Sequence, residues 1–124
     1  MNRLIGEITD IRSLERLNLI ECKVGLQSVK ILILEMNINL KPGKKIELLI
    51  KPTALSVSDK KCVFENVLKG RVVEIQKGEI LSNVTVNVEG FEMECIMLKE
   101  YADFRDNVYI FFKANDVAIG KVFE

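Results

Sequence analysis

The chain has no histidine and no tryptophan among its 124 residues. Without histidine it lacks a Ser-His-Asp or Cys-His nucleophile pair, a histidine ligand for zinc and a general base that titrates near neutral pH. Lysine and arginine together number 18, as do aspartate and glutamate, so the formal net charge is zero. That balance argues against binding along the phosphates of DNA or RNA, which needs a basic excess. The composition therefore disfavours an enzyme and disfavours a nucleic-acid-binding protein.

Cysteine is scarce and is not arranged for a metal or redox site. The three cysteines, Cys22, Cys62 and Cys95, are widely spaced and odd in number. No Cys-x-x-Cys pair is present, so we expect neither a zinc site nor a thioredoxin-like motif. Cys22 and Cys95 occupy apolar positions of predicted strands, and we predict that both lie in the core.

Long apolar runs are also absent. The stretch from Ile31 to Leu34 and its neighbours is far shorter than the roughly 20 residues of a membrane helix. Met1 is followed almost directly by an alternating segment, which predicts no signal or transit peptide. We therefore expect a soluble, cytoplasmic protein with no membrane partner.

What the sequence does contain is an internal repeat. Seven residues recur 64 positions later, so that Asn2, Leu4, Gly6, Ile11, Glu15, Leu17 and Val24 match Asn66, Leu68, Gly70, Ile75, Glu79, Leu81 and Val88. Toward the end of each half the offset is 62, and IKPTALSV places Lys51 opposite Lys113 of FKANDVAI. The repeat predicts two homologous modules in tandem, at residues 1–58 and 62–124.

Each module has the alternation of apolar and polar residues that is typical of strands. The alternation is clearest at Ile20, Cys22 and Val24 and at Val84, Val86 and Val88. Short helical turns are predicted at 35–40 and 99–104. The predicted fold class is all-β, with two tandem OB-like five-stranded small barrels that each carry a short helical turn. Modules of about 60 residues bury too little surface to be stable alone, so we expect them to pack together or to exchange strands.

The motifs of this repeat resemble a known family. The openings NRLIGEITDI and NVLKGRVVEI, each followed some 45 residues later by IKPTALSV or FKANDVAI, are similar to tandem TOBE domains, also called Mop domains. The resemblance covers nearly the whole chain, and the segment from Asn66 to Gly90 is the closer match. Such domains occur in small molybdate-binding proteins, in molybdate-responsive regulators and in molybdate-transporter ATPases. The resemblance implies an OB-like fold that binds molybdate or tungstate between modules or subunits.

A tetrahedral dianion of this kind is bound by convergent N–H donors, hydroxyls and one or two cations, without proton transfer. Carried over residue by residue, the resemblance implies an oxyanion site formed by Asn2, Lys51, Thr53, Asn66, Lys113 and Asn115. Neither an organic cofactor nor a bare metal ion is expected. The alternative for the two repeated asparagines is a structural role in holding a turn, and for the two lysines it is a solvated strand end.

The chain departs from the family's opening motif, Ser-x-Arg-Asn. Val63 and Glu65 stand at the serine and arginine positions of the second module, and Met1 stands at the arginine position of the first. A Glu65 side chain directed into the site would repel a dianion, whereas one paired with a lysine would form a structural joint. Pro52 also removes a backbone donor from the first closing motif.

Two functions follow from these observations. The first is a non-enzymatic cytoplasmic protein that binds molybdate or tungstate for storage, homeostasis or sensing linked to molybdate transport. The alternative is a degenerate pair of modules that has lost anion binding and serves as an oligomerisation or protein-interaction module. For either function the resemblance implies a homo-oligomer, and it suggests a molybdate-transporter ATPase or a regulator as the protein partner.

Overall fold

The computed structural model describes residues 1–35 and 39–124. The strands of the first half are β1 (Asn2–Leu14), β2 (Leu17–Val24), β3 (Gln27–Leu34), β4 (Lys45–Ile50) and β5 (Ser56–Ser58). Those of the second half are β6 (Asn66–Lys77), β7 (Leu81–Val88), β8 (Phe91–Leu98), β9 (Asn107–Phe112) and β10 (Val117–Phe123). Three-residue 3-10 turns lie at Pro52–Ala54, Lys99–Tyr101 and Ala114–Asp116.

The strands form two curled, five-stranded antiparallel sheets, in the orders β10-β4-β1-β2-β3 and β5-β9-β6-β7-β8. Their registers follow the sequence repeat, since Asn2 lies opposite Ile50 and Asn66 lies opposite Phe112. The first strand of each half also has an irregular register at the equivalent place, after Ile8 and after Val72, where an extra residue bends the strand. The predicted fold class, two OB-like five-stranded barrels, is confirmed.

Each sheet is completed by a strand from the other half of the chain. β10 pairs with β4, with Val117 opposite Ile50, while β5 pairs with β9, with Ser56 opposite Phe111. Both arrangements expected from the small size of the modules are therefore found, since the halves exchange strands and also share one hydrophobic core. Neither half contains all five strands of a sheet. The boundaries at 1–58 and 62–124 therefore describe the sequence repeat, and as domain boundaries they stay a prediction.

The core follows from the two-residue period of the strands, which sends alternate side chains to opposite faces. In β4, for example, Ile46, Leu48 and Ile50 are fully buried, while the residues between them are partly exposed. The first strands of both halves press closely on their neighbours. A Cβ added at Gly70 would lie 2.6 Å from a methyl carbon of Val86 and 2.7 Å from the carbonyl oxygen of Asn87, so no side chain fits there.

Short helical turns occur in both halves. The turn predicted at 99–104 is found at Lys99–Tyr101, whereas the turn predicted at 35–40 includes residues outside the described ranges. The sequence missed the turns at Pro52–Ala54 and Ala114–Asp116, which connect β4 and β9 to the exchanged strands. Pro52 occupies the first position of its turn, where a fixed φ is favourable and an N–H is not needed.

Cys22 and Cys95 lie in the core, as the sequence predicts. Cys22 and Cys95 are fully buried, and Cys62 is exposed. Burial, followed by the neighbouring Glu21 carboxylate, raises the pKa of Cys22 to about 12. Burial, followed by the neighbouring Glu94 carboxylate, raises the pKa of Cys95 to about 12 as well. Both thiols are therefore protonated near neutral pH, and the thiolate is the reactive form.

We expect one fast-reacting thiol per folded chain. At a pH of about 8, a thiol with a pKa near 12 is a thiolate in roughly one molecule in ten thousand, so Cys22 and Cys95 should not react. Titration with a coloured disulfide reagent should count Cys62 in the native protein and all three cysteines after denaturation. A Cys62→Ser variant should show no fast reaction. Two fast thiols in the native protein would contradict the burial of Cys22 and Cys95.

Candidate functional site

The predicted site residues lie at the junction between the two sheets, where Asn2 makes a paired contact. The Asn2 side-chain amide donates to the carbonyl oxygen of Glu94 in β8 at 2.8 Å, and its Oδ1 accepts from the Glu94 backbone N–H at 2.8 Å. Asn2 itself is only 5% exposed. Asn2 thus makes the two hydrogen bonds that a neighbouring strand would make with Glu94, and it links β1 to the opposite sheet.

Asn66 makes the equivalent contact on the other side of the junction. Its Oδ1 accepts from the Lys30 backbone N–H at 2.7 Å, and its amide donates to the Lys30 carbonyl oxygen at 2.9 Å. Lys30 and Glu94 are 64 residues apart, as are Asn2 and Asn66, so the two contacts are related by the sequence repeat. Both repeated asparagines therefore have a structural role between the sheets, rather than within a turn.

A third amide at this junction is not repeated. Gln27 donates from Nε2 to the Lys69 carbonyl oxygen at 3.1 Å and accepts the Lys69 N–H at 2.7 Å. The Glu89 carboxylate accepts from the Leu26 N–H at 2.9 Å and from Gln27 Nε2 at 3.1 Å. Sequence reasoning missed Gln27 and Glu89, because Phe91 and Gly25 stand at the equivalent positions of the other half and no repeat marks them.

The first closing motif lies beside Asn2. Lys51 directly follows Ile50, the residue opposite Asn2 in the sheet, and the turn Pro52–Ala54 then packs against β8. Lys51 and Thr53 are both exposed. We call Asn2, Lys51 and Thr53 the first junction site. It combines one cation and one hydroxyl, both open to solvent, with an amide that is already engaged.

The second closing motif lies in the same way beside Asn66. Lys113 follows Phe112, the residue opposite Asn66, and the turn Ala114–Asp116 packs against β3. We call Asn66, Lys113 and Asn115 the second junction site. Asn115 also lines an apolar cavity of about 670 Å³ together with side chains of β3 and β10. Within residues 1–35 and 39–124, neither Lys113 nor Lys51 forms an ion pair.

The two sites differ in their acidic groups. Oε1 of Glu65 accepts the backbone N–H of Ala114 at 2.8 Å, so the carboxylate is held by the second turn. That turn also contains Asp116, whereas the first turn contains no acidic residue. At the equivalent positions of the first site, Met1 replaces Glu65 and Pro52, which has no N–H, replaces Ala114. Val63 is fully exposed at 101% and does not contribute to either site.

Among the residues that the structure describes, no group of three or more His, Cys, Asp or Glu side chains is placed to hold a metal ion. No helix in that part of the chain is long and apolar enough to cross a membrane.

The fold and the junction define an all-β protein of two OB-like sheets joined by exchanged strands and side-chain amides. The structure is similar to that of ModG, described as a cytoplasmic molybdate-binding protein and crystallised with molybdate bound. The TM-score is 0.88 at 17% sequence identity, and the match covers 96% of this chain and 94% of the ModG chain. This likeness confirms a Mop/TOBE-like fold over nearly the whole chain. No protein-family profile matches the chain, and no curated protein matches it significantly.

Proposed function

We propose that this protein binds a tetrahedral oxyanion, molybdate or tungstate, in the cytoplasm and catalyses no reaction. Its role is storage, homeostasis or sensing linked to molybdate transport. One observation carries the proposal. Each half of this ModG-like fold places a lysine at the junction, Lys51 or Lys113, and neither lysine has an ion-pair partner among the described residues. ModG itself is described as a cytoplasmic molybdate-binding protein, which supports the ligand class and the location.

The first junction site has the chemistry that an oxyanion needs. The Lys51 ammonium supplies charge and up to three donors, and the Thr53 hydroxyl supplies one more donor without adding negative charge. Hydrogen bonds to a charged group contribute about 1.5–3 kcal/mol each. The ligand is held by charge and hydrogen bonds alone, and nothing in this arrangement requires a proton to move.

Thermal unfolding with and without oxyanions tests the proposal. At 100 times its dissociation constant, a ligand raises the free energy of unfolding by about 2.7 kcal/mol, which for a chain of this size is a rise in Tm of roughly 10 °C. We expect that rise with molybdate or tungstate, and not with sulfate or phosphate at matched ionic strength. A Lys51→Ala variant should bind about 10- to 100-fold more weakly, because one charge-assisted contact is lost.

The matched control is Lys41→Ala, which removes an exposed lysine from the loop before β4. It should leave oxyanion affinity unchanged. Equal losses for Lys41→Ala and Lys51→Ala would show non-specific attraction to positive charge. An unchanged Tm for the native protein with every oxyanion at millimolar concentration would overturn the proposal.

The second candidate function is an interaction module without anion binding, and the state of the donors favours it. The amides of Asn2 and Asn66 are engaged by backbone groups, the Ala114 N–H is held by Glu65, and Pro52 has no N–H. Fewer free donors remain for a ligand than the number of polar residues suggests. An unmoved Tm in the oxyanion experiment is the result that selects this function.

An outward leucine surface supports self-association under either function. It consists of Leu14, Leu17, Leu19, Leu32 and Leu34, which lie on the solvent side of β1, β2 and β3, where Leu17 is opposite both Leu14 and Leu34. The Arg16–Glu35 ion pair at 3.2 Å gives this surface a rim with charges of both signs. A second copy related by a two-fold axis can place opposite charges against this rim, so we propose a homo-oligomer through the leucine surface. A transporter ATPase or a regulator is the protein partner that the proposed role implies.

A further inference from the structure

The contact between Glu65 and Ala114 makes the two junction sites unequal. Oε1 of Glu65 accepts the Ala114 N–H at 2.8 Å, directly beside Lys113 in the chain. Glu65 forms no salt bridge with the described residues, so it is held by this backbone N–H rather than by a lysine. The Glu65 carboxylate thus lies against the Ala114 N–H, between Lys113 and Asn115 of the second junction site.

A carboxylate held in this way acts on an incoming oxyanion through two effects. It accepts the hydrogen bond of the Ala114 N–H, so that this donor is not available to a ligand. It also adds a negative charge beside Lys113, which offsets the attraction of the lysine for an anion. Asp116, in the same turn, adds to that negative charge.

In the described part of the chain, no side-chain carboxylate accepts a backbone N–H of the first turn, and the contact between Asn2 and Glu94 uses only the backbone groups of Glu94. Met1 stands where Glu65 stands in the repeat, and the turn at Pro52–Ala54 contains no acidic residue. Lys51 and Thr53 are exposed, and Lys51 forms no ion pair with the described residues. An external anion therefore meets a cation and a hydroxyl at the first site, and an internal carboxylate at the second.

We propose that Glu65 is an internal anion that closes the second junction site against external oxyanions. The inference rests on the proposed function, since it describes which of two related sites the ligand can enter. Glu65 is then the residue that sets the number of oxyanions bound by each chain. In the native protein that number is one, bound at Lys51 and Thr53, although the sequence repeat provides two sites.

Isothermal titration of the full chain with sodium molybdate, and separately with sodium tungstate, tests this inference. We expect one equivalent for the native protein and two for Glu65→Ala, in which the Ala114 N–H and Lys113 are freed. The double variant Glu65→Ala/Lys113→Ala should return to one equivalent. The matched control is Glu79→Ala, which removes an exposed carboxylate from the turn between β6 and β7 and should still bind one.

A second variant protects the test against loss of folding. Glu65→Gln keeps an oxygen acceptor for the Ala114 N–H and removes only the charge, so its Tm should match that of the native protein. It should also gain a second equivalent, because the repulsion is gone, but with weaker affinity than in Glu65→Ala, because the Ala114 N–H stays occupied. A thermal unfolding curve for each variant verifies that the titrated protein is folded.

The outcomes separate this inference from the proposed function. An equal number of equivalents in the native protein and in both Glu65 variants, whether one or two, overturns the closure by Glu65 and leaves oxyanion binding in place. Binding by the Glu65 variants but not by the native protein supports the closure and overturns the function proposed for the native chain. No binding by any of the chains overturns both.

Discussion

An Asn66→Ala variant should lose about 2–4 kcal/mol of its free energy of unfolding, with a fall in Tm of roughly 10 °C. The substitution removes the side-chain amide that pairs with the backbone N–H and the carbonyl oxygen of Lys30 across the junction. Asn66 is only 2% exposed, so water does not easily replace the lost amide. Each buried group left without a partner costs about 1–3 kcal/mol, which sets the size of the effect.

Gln27→Ala is the matched control for this prediction. Gln27 makes the same pair of hydrogen bonds, with the Lys69 peptide, but in an exposed setting. Water can solvate the Lys69 groups after the substitution, so we expect a loss below about 1 kcal/mol. Asn2→Ala should behave like Asn66→Ala because it is related by the repeat. Chemical denaturation of the three variants measures these values, and equal losses for Gln27→Ala and Asn66→Ala would show that burial does not set the cost.

The second large effect concerns the exchanged strands. If the chain is divided into residues 1–60 and 61–124, we expect each piece alone to be unfolded and an equimolar mixture to regain the native β-sheet signal. The first piece lacks β10, the neighbour of β4 in its sheet, and the second lacks β5, the neighbour of β9. Each piece would leave a buried strand as an open edge, and a module of about 60 residues has little core to compensate.

Circular dichroism and thermal unfolding of the separate and mixed pieces provide the measurement. A piece that ends at Asp116, and therefore lacks β10, is the control, since it should fail to restore the first sheet. The intact chain should unfold in a single transition, because the two sheets share strands and the amide contacts of Asn2 and Asn66. A cooperative transition in either piece alone would show that the modules at 1–58 and 62–124 fold independently.

The candidate site was only partly predictable from the sequence. The repeat singles out Asn2 with Asn66 and Lys51 with Lys113, and the structure brings each asparagine next to its lysine across adjacent strands. It does not reveal what the asparagines bind, because a side-chain amide can donate to an anion or can exchange hydrogen bonds with backbone groups. Only the position of Lys30 and Glu94 on the opposite sheet decides that they pair with backbone.

The sequence by itself determined the strands and the two-fold repetition of the fold. Alternation such as that of Ile46, Leu48 and Ile50 assigns one face to the core, since successive side chains of a strand point to opposite faces. The tertiary structure alone decided which half supplies the last strand of each sheet, and which donor Glu65 holds. The physical reason is that a strand edge presents the same N–H and C=O groups to any partner, so its sequence does not specify which strand will pair with it.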